Sequence, residues 1–105
     1  MKREVKTVLN QINRHSMNNT QRVLMHLLNA EGEWVSRKSI RVPSVGSRLR
    51  DLRKAEFGSF DVRCATAQEL SKRSTNARST FYAIEPRSIT GDSVRQAFRT
   101  AMIEV

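Results

Sequence analysis

The chain has one cysteine, Cys64, and two histidines, His15 and His26, that stand well apart. A lone cysteine excludes an internal disulfide, and this His/Cys set lacks the spacing of a zinc site. Aromatic residues make up only 6% of the sequence, mostly at positions expected in the core. The stacking platforms used in single-stranded RNA recognition are therefore missing. No apolar run approaches the ~18 residues of a membrane span, so no membrane partner is expected. The opening Met1-Lys2-Arg3-Glu4 leads into polar sequence rather than an apolar signal core. The expectation is a protein that stays in a reducing, cytoplasmic compartment. No nucleophile, carboxylate pair or metal constellation stands out, so neither catalysis nor a cofactor is expected. There is no internal repeat and no low-complexity tract.

Acidic residues are scarce too: 10 Asp+Glu stand against 19 Lys+Arg, a formal net charge of +9 over 105 residues. With 38% hydrophobic residues, the composition is that of one folded domain. An excess of positive charge on so small a domain is the electrostatic footprint of a polyanion binder. Nucleic acid is favoured over a membrane surface because the charge gathers on one predicted element.

Hydrophobic spacing predicts the elements. Val5, Val8, Leu9 and Ile12 mark an amphipathic helix over 4–14, and Asn19 or Thr20 is placed to cap a second helix with Val23, Leu24, Leu27 and Leu28 on one face. That helix should stop near Gly32. Trp34-Val35-Ser36 reads as a short extended piece burying Trp34 and Val35, and Ser36 as the cap of a one- to two-turn helix over 37–41 with Ile40 inward. Pro43 ends that turn, and Ser44 is placed to cap a helix over 44–55. On it Val45, Leu49, Leu52 and Glu56 share one side. Ser47, Arg50, Asp51 and Lys54 share the other, with Arg48 and Arg53 on the flanks. Residues 60–66 and 79–85 read as two strands, with Phe60, Val62 and Cys64 on the inner face of the first. The polar stretch 68–78 joins them. Pro86 closes the hairpin, and Ser93 with Gln96 forms a capping box for a last helix over 93–104.

The run Trp34-Val35-Ser36, then Ser47-Arg48-Leu49-Arg50-Asp51-Leu52-Arg53-Lys54-Ala55, then Phe60-Asp61-Val62 and Phe81-Tyr82-Ala83-Ile84, resembles the small winged helix-turn-helix proteins of bacteriophages and prophages. In those a tryptophan is followed by R-[IL]-x-[DE]-L-R-K across the recognition helix, and a Tyr-x-[IL] strand returns from the wing. The resemblance spans about residues 20–86. Two departures are visible: Glu56-Phe57 precede the glycine that follows the recognition helix, and the wing is long. The resemblance implies an α+β winged helix-turn-helix, with a three-helix core and a two-stranded wing, to which the periodicity adds the N- and C-terminal helices. It also implies sequence-linked DNA binding, in phage transcriptional control or in excision and replication.

On that reading Arg50 is placed for a bidentate contact to guanine, and Lys54 for a base or a phosphate. Ser44 and Ser47 suit contacts near the helix start. Arg48 and Arg53 fit phosphates on either wall of the groove. Arg37, Lys38 and Arg41 lie where the preceding helix crosses the backbone, and Lys72, Arg73 and Arg78 form a basic wing. Asp51 pairs with Arg48 or Lys54, or contacts a cytosine N4. His15 and His26 read as surface residues, Cys64 as a small apolar residue in a strand. The terminal helices either thicken the core or make a homodimer. The alternative function is a winged-helix interaction module that meets an acidic protein partner through its basic face.

Overall fold

The computed structural model describes residues 2–66, 69–70 and 80–103. Within them four α-helices and a three-stranded antiparallel sheet form a small α+β domain. The helices are α1 (Arg3–Leu9), α2 (Asn19–Asn29), α3 (Val45–Leu52) and α4 (Gly91–Phe98), and the strands are β1 (Val35–Ser36), β2 (Val62–Thr66) and β3 (Thr80–Ile84).

α2 is the central helix because its apolar residues repeat at helical spacing: Val23, Leu24, Leu27 and Leu28 are all fully buried. Its start is fixed by Asn18, not by Asn19 or Thr20. The Asn18 side chain accepts from the Gln21 amide at 2.9 Å, and Gln21 Oε1 accepts from the Asn18 amide at 2.9 Å. This is a reciprocal capping box, legible in the sequence as Asn18-x-x-Gln21. The helix ends at Asn29. Glu31 (φ +51°) and Gly32 (φ +90°) then turn the chain, as expected near Gly32, and a side chain at Gly32 would meet Pro86 Cγ at 3.0 Å.

β3 is the middle strand, in the order β1-β3-β2. Val35 pairs with Tyr82, and Val62, Cys64 and Thr66 pair with Ile84, Tyr82 and Thr80. Val62 and Ile84 close the core from this side. Three inward expectations fail here. Trp34 and Val35 are only half-buried, because β1 is two residues long and lies at the edge of the sheet, although Val35 still packs against the core. Cys64 is exposed, because β2 is an edge strand on which burial passes from Val62 to Ala65 instead of alternating.

The terminal helices pack on one another, so their apolar stripes are covered inside the chain. Val5 and Val8 of α1 and Val94, Ala97 and Phe98 of α4 are buried in the same core. α1 is shorter than its periodicity suggests. It stops at Leu9, and Ile12 instead makes an antiparallel bridge to Met102. The Asn13 amide donates to Ala101 O at 2.7 Å, and the Ile103 amide to Gln11 O at 2.7 Å. α4 begins two residues earlier than its expected start. Thr90 is its cap, and Ser93 occupies the third helical position of the capping box rather than the cap itself. After Phe98 the helix tightens into a 3₁₀ turn, Arg99–Ala101. Gln21 joins the two halves: its Nε2 donates to Ala97 O at 3.0 Å and Thr100 Oγ1 at 2.8 Å, so this fully buried amide is satisfied on every side.

Candidate nucleic-acid interface

α3 packs through Val45, Leu49 and Leu52, all buried, which turns Arg50 outward and leaves Gly46 and Ser47 partly open in the first turn. A Cβ added at Gly46 would meet no atom within 4 Å. Internal packing therefore does not require a glycine here.

The helix is shorter at both ends than the expected 44–55. Ser44 precedes it in a left-handed conformation (φ +57°, ψ +47°), and its side chain caps nothing. A capping serine needs extended backbone to place its oxygen over the first free amides, so the expected cap fails while the hydroxyl stays exposed. At the other end, Leu52 is the last helical residue, and Lys54 has extended backbone ahead of a 3₁₀ turn, Ala55–Phe57. Lys54 is therefore not a further turn along the helix from Arg50, and Glu56 is exposed instead of continuing the inner face. Gly58 (φ +100°) closes the turn where a Cβ would lie 2.5 Å from Ser93 O and 2.7 Å from the Phe60 ring. Only glycine lets the chain pass so close to α4.

Asp51, the anion on a cationic face, is taken up on three sides. Its carboxylate lies 3.6 Å from Arg48 Nε and 3.5 Å from Lys54 Nζ, and it accepts from Thr20 Oγ1 at 3.2 Å. Both expected pairings are thus present, and Thr20 adds a link to α2. Arg48 Nε is shielded from solvent and has no hydrogen-bond partner among the described residues, so Asp51 is its nearest compensation. Arg53 leans the other way: its Nη2 donates to Val62 O at 2.9 Å and ties α3 to β2. Both flanking arginines are engaged within the fold, whereas Arg50 makes no ion pair among the described residues.

The expected helix over 37–41 is a single 3₁₀ turn, Arg37–Ser39. Ser36 caps it as foreseen, accepting from the Lys38 amide at 3.3 Å, and Ile40 points inward. Arg37, Lys38 and Arg41 are exposed on the approach to α3. Lys72, Arg73 and Arg78 of the expected wing lie outside the described residues.

One cluster was missed by sequence reasoning. Arg14, Arg22, His26 and Arg41 ring a concave groove of about 350 Å³ that also includes Met17, Met25, Asn29 and Val42. Both histidines are exposed, as expected. Among the described residues no group of acidic, histidine and cysteine side chains is arranged to hold a metal, and no helix is long and apolar enough to cross a membrane. Compared with known proteins, the chain matches no family model, no curated protein and no solved structure.

Proposed function

We propose that this protein is a winged helix-turn-helix protein that binds double-stranded DNA in a sequence-specific way, with α3 in the major groove. In this reading it regulates transcription for a phage or other mobile element. The element order supports it: α2, β1, a short turn, α3 and then the β2–β3 pair, with β1 on the far side of β3, is compatible with a reading helix set beside a wing. The single observation that carries the proposal is the outward face of α3. There Arg50 stands exposed and unpaired among the described residues, next to a first turn with open space at Gly46.

The mechanism follows from these groups. Arg50 offers two parallel N–H donors to O6 and N7 of guanine. Ser47 and the free hydroxyl of Ser44 reach bases or phosphates at the helix start, while Arg37, Lys38 and Arg41 neutralise backbone phosphates. Lys54 takes a phosphate beyond the helix end. Asp51 holds Arg48 and Lys54 in place, and Arg53 fixes the angle between α3 and β2; neither Asp51 nor Arg53 is assigned a DNA contact. Cations on the phosphates supply affinity, and Arg50 supplies the preference for sequence.

The test is selection of bound sites from a random duplex library, with the selected site retested across salt concentrations. A defined motif that survives near-physiological salt is the expected result, and two-fold symmetry in it would identify a homodimer. Absence of enrichment, with binding that vanishes steeply as salt rises, would refute the proposal. An acidic protein partner would then be the reading to pursue.

A further inference from the structure

The groove ringed by Arg14, Arg22, His26 and Arg41 is built from three separate segments: the turn before α2, the outer face of α2, and the residues leading into α3. No acidic side chain lines it. Some cations of the fold have an acidic neighbour: Arg63 lies 2.8 Å from Glu85, Arg95 lies 3.3 Å from Asp92, and Arg48 and Lys54 share Asp51. Arg14, Arg22 and Arg41 make no such pair among the described residues, and all three are exposed. Three unpaired guanidinium groups around one concavity repel each other and gain from an anion that bridges them.

We infer that this groove is a second DNA contact, which takes backbone phosphates of duplex flanking the site read by α3. The inference rests on the DNA-binding reading above and extends the footprint to residues outside the reading helix. Arg41 gives the continuity: it borders the groove and lies three residues before Ser44, so a duplex seated on α3 runs past it. Continuity with the basic approach to α3 favours duplex over an acidic peptide, and the floor is apolar: Met25 is only 6% exposed and Met17 and Val42 are half-buried. A phosphate strand needs only the rim. His26 adds a ring N–H donor there in either tautomer.

The test compares the full chain with R14A/R22A and with R50A, on a duplex trimmed to the selected site and on one extended by about a helical turn at each end. On the extended duplex R14A/R22A should bind roughly ten- to thirtyfold more weakly at about 0.15 M salt, and the slope of log K against log salt should fall by about 2. The loss should be equal for selected and scrambled extended duplexes, and should shrink on the trimmed one. R50A should instead weaken the selected duplex more than the scrambled one. Wild-type affinity and slope for R14A/R22A, with R50A still impaired, would overturn the groove assignment and leave the function standing. Failure of the wild-type chain to bind any duplex would overturn both. Capture of a fluorescent polyglutamate peptide, lost in R14A/R22A while duplex binding is unchanged, would assign the groove to an acidic protein segment instead. R14Q/R22Q serves as a second variant should the alanine pair fail to fold, with thermal melting as the control.

Discussion

Replacing Gly46 with alanine separates what α3 needs for its own stability from what approaches it. Gly46 is the second residue of the helix, its φ is negative, and a Cβ there meets nothing within 4 Å. The substitution introduces no clash and removes the entropic penalty of a helical glycine, so the fold should gain about 0.5–1 kcal/mol. For a chain of this size that corresponds to a rise in Tm of roughly 2–6 °C. DNA affinity should move the opposite way. A methyl group between the first turn of α3 and a groove wall pushes the two apart, lengthening the contacts of Ser47 and Arg50 together. The expected loss is about tenfold, or about 1.4 kcal/mol. Urea or thermal unfolding measures the first effect, and titration of the selected duplex measures the second. A more stable variant with unchanged affinity would refute the claim that DNA lies against this turn. A less stable variant would refute the reading of Gly46 as sterically free.

Three further substitutions probe the site and the scaffold. Arg50→Ala should weaken binding to the selected duplex by about 1–3 kcal/mol and flatten its preference at one base pair, read by competition with single-base variants of the site. Gly58→Ala should destabilise the fold by at least about 2 kcal/mol, since it combines left-handed backbone with a 2.5 Å approach to Ser93 O; unchanged urea unfolding would refute this. Gln21→Ala removes both hydrogen bonds to the α4 end and leaves a cavity among buried groups. It should cost about 2–3 kcal/mol in denaturant unfolding, and a loss below about 0.5 kcal/mol, the size of an ordinary surface substitution, would refute the role of Gln21 as the link.

Much of the scaffold was legible because it depends on local periodicity. The inner face of α3 follows from Val45, Leu49 and Leu52, and the buried row of α2 from Val23, Leu24, Leu27 and Leu28. The ends of elements were harder, since several local signals compete there. Asn18, Asn19 and Thr20 are all capping residues, and only the answering Gln21 side chain decides among them. Thr90 and Ser93 posed the same choice, settled by the reciprocal bond between them. Pro43-Ser44 reads as a stop followed by a cap, yet Ser44 turns left-handed, a backbone state that no side-chain pattern announces. The sheet misled where a two-residue strand and an edge strand bury less than alternation implies, at Trp34 and Cys64. For the interface, the cations of α3 were visible as a cluster in sequence. The groove was not, because Arg14, Arg22 and Arg41 come together only once the turn before α2 folds back beside the approach to α3.

The bridge from Ile12 to Met102 sets an order of events. It joins the two most distant parts of the described chain, and closing so long a loop costs about 4 kcal/mol of chain entropy before any contact repays it. Contacts of such separation are expected to form late in folding, after α2, α3 and the β2–β3 pair have met. On that expectation the α1–α4 layer closes last over the shared core. The amides of Asn13 and Ile103, which fasten that layer, should exchange with solvent well before those in the middle of α2. The α3 face proposed to meet DNA should therefore open later than Arg14 of the proposed groove, which follows directly on Asn13.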